Sequence, residues 1–326
     1  FTGAGFTYNF GGFLAKDMWS LIFNHPLIQN RSIIKEKMLY DLDYELIYHC
    51  VLSNDSYDEE DKIAMRTAVK EAYTTLDDIV LKWRFRSDAP HPVNIYQVKK
   101  LIELFAGNPR DKIESYFFTL NQDLFIERHF STLGKPLILP GVTIKPNPAD
   151  SIAKQSPLPS EDFITLSTDE KLREIFLRDI SFRHFHYIKL HGSYNWKSSQ
   201  GLDMMVIGID KEDQIIREPL LKWYFDIFKK VLFQESTKLF IIGYGFRDKH
   251  INEIITQSVK ENGLRFYVLS PEDPKDFSHK LLALENGEAM LKGLAAYFPY
   301  NLLEIFPADQ SETAFYNMIV KSIFRD

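Results

Sequence analysis

The sequence predicts an α/β fold: an open sheet of buried strands with helices packed against it. Three observations carry this. Short apolar runs such as Tyr116-Phe117-Phe118, Tyr187-Ile188-Lys189-Leu190 and Leu239-Phe240-Ile241-Ile242 each end in a polar or glycine cluster. That is how a buried strand reads when it delivers chemistry at its carboxyl end. Residues 238–269 run strand, glycine turn, helix, strand, which makes a βαβ unit. The chain also opens on Gly3-Ala4-Gly5 ahead of a mostly apolar stretch, 13–23, as a loop feeding a helix does.

Composition bounds the function. The chain has 326 residues, 45% hydrophobic and 14% aromatic, enough for a substantial core in one large domain or two small ones. A net charge of −6 argues against a nucleic-acid surface. The single cysteine, Cys50, excludes an intrachain disulfide and any multi-cysteine zinc site, and fits a reducing cytoplasm. No apolar run approaches the ~20 residues of a membrane helix. The sequence begins inside the glycine motif without an initiator Met, so further residues are expected ahead of Phe1.

The opening glycine turn is not a dehydrogenase fingerprint. Tyr8 stands where the third glycine belongs, and 25–30 lacks the acid that holds a ribose. No Gly-Lys-Ser/Thr makes it a Walker loop. It reads either as a phosphate cradle or as a tight strand-to-helix turn. Residues 31–106 form a helical block, with Ile63, Ala64, Ala68, Ala72, Leu76, Ile79, Val80 and Trp83 near helical spacing, then Ile95, Val98, Ile102 and Phe105, and a stop at Gly107. The acidic run 55–61 reads as a loop and helix start. The block either packs on the main sheet or caps a ligand site.

Asn121 and Asp123 follow the strand of residues 115–118. They sit where an open sheet binds ligands, or else they cap the helix 124–130. Residues 134–168, with six prolines, read as an extended surface excursion. The strand around 187–190 ends in His191-Gly192-Ser193, where His191 is a candidate general base or a structural strand-end histidine. His129, His184 and His186 read as structural or solvated. A short strand follows at 204–209 and an amphipathic helix at 216–234. In the βαβ unit, Asp248 can N-cap a helix that Gly263 ends, and Ser270 opens the polar end of the last strand. Helical stretches around 278–298 and 311–324 close the chain, the second with Ser311 as its cap.

Four stretches thus occur in order: Gly-Ala-Gly, Thr-Leu-Asn-Gln-Asp, Lys-Leu-His-Gly-Ser and Gly-Tyr-Gly-Phe-Arg-Asp-Lys-His. Together they resemble the sirtuin superfamily, and within it the NAD-hydrolysing domains of bacterial anti-phage defence proteins. The resemblance implies a Rossmann-like, mainly parallel sheet flanked by helices and binding NAD+. It implies one domain over 1–326, with a helical insertion at about 14–112 and an irregular excursion at about 134–168. By motif match, Gly3, Ala4 and Gly5 face the pyrophosphate, Asn121 and Asp123 lie near the nicotinamide ribose, and His191 is catalytic. Gly243, Gly245 and Ser270 lie near the adenosine. Phe6, Asn9, Thr119, Gly192, Phe246 and Asp248 complete the implied cofactor-binding set, and His250 shares the turn of Phe246 and Asp248. The chain departs from the deacetylase sirtuins: it lacks their four zinc cysteines, and Asn9-Phe10-Gly11-Gly12 stands where their cofactor loop continues differently. No metal is implied.

The expected activity is hydrolysis of the nicotinamide–ribose bond of NAD+, depleting NAD in defence. The alternatives are an NAD-dependent protein deacylase and a non-catalytic NAD or ADP-ribose-sensing module. The resemblance further implies a homo-oligomer, joined to or bound by a sensor or an ATPase-translocase; from charge and the lack of a long apolar run, no direct nucleic-acid or membrane binding is expected.

Overall fold

The computed structural model describes residues 1–82, 92–105, 115–130, 185–198, 203–309 and 312–324. The expected excursion at 134–168, the Gly107 stop, the Ser311 cap, Trp83 and His184 lie outside them.

A parallel sheet organises the molecule. β1 (Ser115–Thr119) pairs with β2 (Phe185–Lys189), and β5 (Lys238–Ile242) with β6 (Arg265–Leu269), which pairs with β7 (Leu294–Phe298). Thr2 joins the two halves, bridging Thr119 on one side and Ile242 on the other. The Thr2 amide donates to the Phe118 carbonyl at 2.9 Å, and the Leu120 amide to the Thr2 carbonyl at 3.1 Å. One row therefore crosses the sheet: Lys189, Thr119, Thr2, Ile242, Leu269, Phe298. In chain order these strands stand third, second, first, fourth, fifth, sixth, the order of dinucleotide-binding sheets. The order reverses between the Thr2 segment and β5.

Successive strand residues point to opposite faces, and both faces are covered. Phe117, Tyr187, Phe240 and Tyr267 pack into one apolar core. It is shared with α2 (Ala15–Phe23), α3 (Pro26–Gln29), α4 (Ser32–Tyr40), α5 (Tyr44–Ser53), α6 (Glu59–Lys82), α7 (Ile95–Phe105) and α8 (Phe125–Phe130). Their neighbours Phe118, Ile188, Ile241 and Val268 pack into a second core. Its helices are α9 (Lys211–Arg217), α10 (Pro219–Leu232), α11 (Lys249–Asn262), α12 (Pro274–Leu282) and α13 (Gly287–Gly293). This two-sided burial is why the strands read as continuous apolar runs rather than alternating ones. α14 (Leu302–Ile305) and α15 (Ala314–Phe324) finish the first core. Among the described residues no helix is long and apolar enough to cross a membrane.

The structure departs from the sequence reading in several places. The helix after the glycine turn starts at once, as α1 (Ala4–Tyr8), ahead of α2. The helix expected over 216–234 is two, α9 and α10. Pro219 starts the second and holds Glu218 extended (φ −98°, ψ 108°), which ends the first. The stretch 278–298 ends in strand β7, not in helix. Residues 204–209 yield only β4 (Asp203–Met205), antiparallel to β3 (Gly192–Lys197). For α15, the Thr313 hydroxyl accepts the Tyr316 amide at 3.1 Å.

Candidate active site

A cleft of about 1610 Å³ opens over the carboxyl ends of the strands, where the order reverses. The Gly3–Gly5 turn, Asn121 to Asp123, His191, the 243–250 turn and Ser270 line it from the sheet side. Tyr44 and Glu45 at the start of α5 line it from the helical block. The block therefore both packs on the sheet and walls the site.

The two glycine turns meet backbone to backbone. A Cβ on Gly3 would lie 2.8 Å from the Gly243 carbonyl oxygen, one on Gly5 2.9 Å from the Gly243 Cα, and one on Gly243 2.3 Å from the Phe6 nitrogen. Gly243 also has φ +64°, which side chains rarely adopt. The Gly5 amide donates to the Gly243 carbonyl at 3.0 Å, and the Gly3 amide to Ile242 at 3.1 Å. These amides are spent on closing the sheet. The sequence reading assigned the bare backbone of Gly5 to an approaching phosphate; the neighbour its missing side chain admits is Gly243.

Asn121 stands just beyond β1. Its Nδ2 donates to Thr7 Oγ1 at 2.9 Å and its amide to Thr119 Oγ1 at 3.0 Å. It does not cap α8; Asp123 does, its Oδ1 accepting the Phe125 amide at 2.9 Å. Burial pushes the Asp123 carboxyl up to about 6, against the pull of Lys189 and the Phe125 and Thr7 hydrogen bonds. Gln122 spans the strand ends, its Nε2 donating to the carbonyls of Val206 at 2.8 Å and His191 at 3.3 Å. It fixes the backbone of Asn121 and His191 relative to each other.

His191 and His250 face one another, Nε2 to Nε2, at 3.0 Å. Burial pushes both imidazoles down, His191 to about 3 and His250 to about 4, with Asp248 opposing and Lys211 reinforcing the shift. Both are neutral near pH 7. Lys211 Nζ sits between two carboxylates, 2.7 Å from Asp248 Oδ1 and 2.8 Å from Glu45 Oε2. Burial disfavours the Asp248 charge, but His191, Lys211 and His250 together hold its carboxyl below the usual value. Ligand-type atoms of His191, Asp248 and His250 lie within 4.8 Å of one another, a donor set able to hold a metal ion. In this arrangement the Lys211 ammonium already supplies a cation to Asp248.

Of the residues singled out from sequence, Gly3, Ala4, Gly5, Asn9, Asn121, Asp123, His191, Gly243, Gly245, Asp248 and Ser270 line this one cleft. Phe6, Thr119, Gly192 and Phe246 do not. Phe6 is fully buried among Phe10, Phe117, Phe125 and Phe130. The Thr119 hydroxyl bonds Thr2 across the sheet. Gly192 has φ +71° and starts the β3 hairpin. Phe246 (φ +55°) packs its buried ring on Tyr244 and Phe277. The sequence reading missed Gln122, Lys211 and Glu45. Lys211 and Glu45 lie 166 positions apart (211 − 45) and share no motif, so only folding joins them.

A Rossmann-like sheet with its cleft at the switch point defines a nucleotide-binding α/β protein. The family model described as SIR2-like domain matches residues 115–290, more than half of the 326-residue chain, and the chain belongs to that family. The match includes Asn121, His191, Asp248 and His250, while the Gly3–Gly5 turn is brought to them by the fold. SIR2-like domains use NAD+ as substrate, so the function is NAD-related and of sirtuin type. No curated protein matches the chain.

Proposed function

We propose that the chain is an NAD+ glycohydrolase, cleaving the nicotinamide–ribose bond with water to give nicotinamide and ADP-ribose. The observation that carries this reading is the meeting of Asn121 and His191, from the ends of the adjacent strands β1 and β2, in one cleft. The transition state is oxocarbenium-like, as in glycoside hydrolysis. Nicotinamide leaves as a neutral molecule with the bonding pair, so no acid has to protonate it. The chain must orient a water and take up its proton. Thr7 holds Asn121 by Nδ2, and the amide oxygen is left to orient the water or a ribose hydroxyl. His191 is neutral at assay pH and accepts the proton, the Asp248 carboxylate opposing the loss of basicity that burial causes. The ionised Asp248 offsets the positive charge that then develops.

The lone Cys50 cannot build the four-cysteine zinc module of the deacetylase sirtuins, which weighs against a peptide groove. We place the activity in anti-phage defence by NAD depletion, inside a homo-oligomer with a sensor or ATPase-translocase partner. The four-motif resemblance supports that setting. The test is to incubate the protein with NAD+, with and without an acyl-lysine peptide, and to follow nicotinamide by chromatography. Release without peptide is expected, abolished in folded Asn121→Ala and lowered ~10²-fold or more in His191→Ala. Release only with peptide would identify a deacylase, and NAD+ binding without release a sensing module.

A further inference from the structure

The geometry points to His250 as a positioning residue: it holds His191 in the tautomer protonated on Nε2, leaving Nδ1 bare for the reaction. The inference deepens the hydrolase reading and rests on it for the role of His191. The 3.0 Å contact joins two ring nitrogens. Between neutral imidazoles such a contact requires one N–H and one lone pair. If His191 is the donor, its Nδ1 is a lone pair and can accept a proton. If His250 is the donor, Nδ1 of His191 carries the proton and the base is disabled. With His191 as the base, it donates from Nε2, and His250 accepts on Nε2 and keeps its own proton on Nδ1.

The pair is built to stay in register. His191 is 4% exposed and His250 5%, so bulk water does not compete for the contact. The Phe225 ring lies 5.7 Å from His250 on centroids. The start of α11 that carries His250 is tied down: the Asn252 amide donates to the Asp248 carbonyl at 3.0 Å, and Asn252 Nδ2 donates to the Phe246 carbonyl at 2.8 Å. The Tyr244 hydroxyl donates to Asn252 Oδ1 at 3.0 Å. On reaction, a water O–H breaks and its proton goes to Nδ1 of His191. The oxygen bonds the ribose carbon, and the glycosidic pair leaves with nicotinamide. The imidazolium keeps its Nε2–H directed at His250, beside the Asp248 carboxylate. The arrangement does for His191 what a triad carboxylate does for its histidine: it fixes the tautomer and the ring.

Two measurements on the whole chain test this. Long-range proton–nitrogen correlation spectra of histidine-labelled protein read the tautomers, and nicotinamide release is timed for wild type, His250→Ala and His250→Gln, each with a thermal melt. His191 is expected protonated on Nε2 and His250 on Nδ1. His250→Ala is expected to lose ~10–100-fold in kcat with KM within about twofold, and with a mixed His191 tautomer. His250→Gln, whose amide oxygen can accept the same hydrogen bond, is expected to restore most of both. His191 protonated on Nδ1 in the wild type, or wild-type kcat in a folded His250→Ala, would overturn the inference. Should His250→Ala not fold, the wild-type tautomers and His250→Gln decide. A wild type that releases no nicotinamide removes the hydrolase reading, and the spectra still decide the pair.

Discussion

Gly243 is where the two halves of the sheet touch most closely. Its φ of +64° and the 2.3 Å approach of a built Cβ to the Phe6 nitrogen leave no room for a side chain. Gly243→Ala is expected to destabilise the fold by roughly 2–4 kcal/mol, combining backbone strain with overpacking. Gly5→Ala, which meets the same backbone without positive φ, is expected to cost roughly 1–3 kcal/mol. Urea unfolding measures both; a Gly5→Ala protein of unchanged stability and weaker NAD+ binding would return that turn to phosphate holding. The other residue-scale expectation concerns metal. Because Lys211 already neutralises Asp248, a chelator should leave nicotinamide release unchanged. Loss of release on chelation, restored by a divalent cation, would show that His191, Asp248 and His250 hold an ion. At this scale the sequence was legible where chemistry follows a strand, as at Asn121 and His191. It was illegible where a contact is made across the fold, as at Gly5 on Gly243 or Lys211 on Glu45.

Among elements, α8 shows how the helical block is fastened to the sheet. Arg128 is buried and bonds Asp77 of α6 twice, from Nε to Oδ1 at 2.7 Å and from Nη2 to Oδ2 at 2.5 Å, and the Tyr194 hydroxyl donates to the same carboxylate at 2.6 Å. Asp77→Ala is expected to cost roughly 3–5 kcal/mol, because it strands a buried guanidinium. Arg128→Met with Asp77→Leu should recover much of that loss. A double variant as unstable as the single one would show that the pair itself, not the uncompensated charge, sets the cost. The strands with strong apolar runs were readable, since burial on both faces writes itself into composition. β7 was not: Leu294-Ala295-Ala296-Tyr297-Phe298 is a half-buried strand, last in the sheet among the described residues, whose alanines suit a helix equally well. The Thr2 segment is too short to read alone, and only its bridges to Thr119 and Ile242 reveal a strand.

Over the whole molecule, buried titratable groups set the response to acid. His191 is held at about 3, and His129 and His250 at about 4, chiefly by burial. Each takes up a proton near pH 6.5 when unfolded but not when folded, so its contribution is full above pH 6.5 and fades as pH falls toward 4. Asp123, raised to about 6, acts in the opposite sense: its contribution is full below its unfolded value and fades as pH rises through 6. Among the described side chains three imidazoles outweigh one carboxyl, leaving unfolding at pH 5 to take up about two protons net from these four groups. The urea midpoint is therefore expected to fall from pH 7 to pH 5, and a midpoint that rises would refute the balance. The Thr2 segment also sets an order of events on the ribosome. Its two partners lie 117 and 240 positions downstream. At ~5–20 residues per second, the second partner is made ~12–50 s after the first strand. Until then a strand destined for the middle of the sheet has a bare edge, although the helices α2–α6 already have one another to pack on. Arrested nascent chains that stop before β5 are expected to be cut readily by protease within 1–5; protection there before β5 emerges would mean that the Thr2 segment docks on β1 alone.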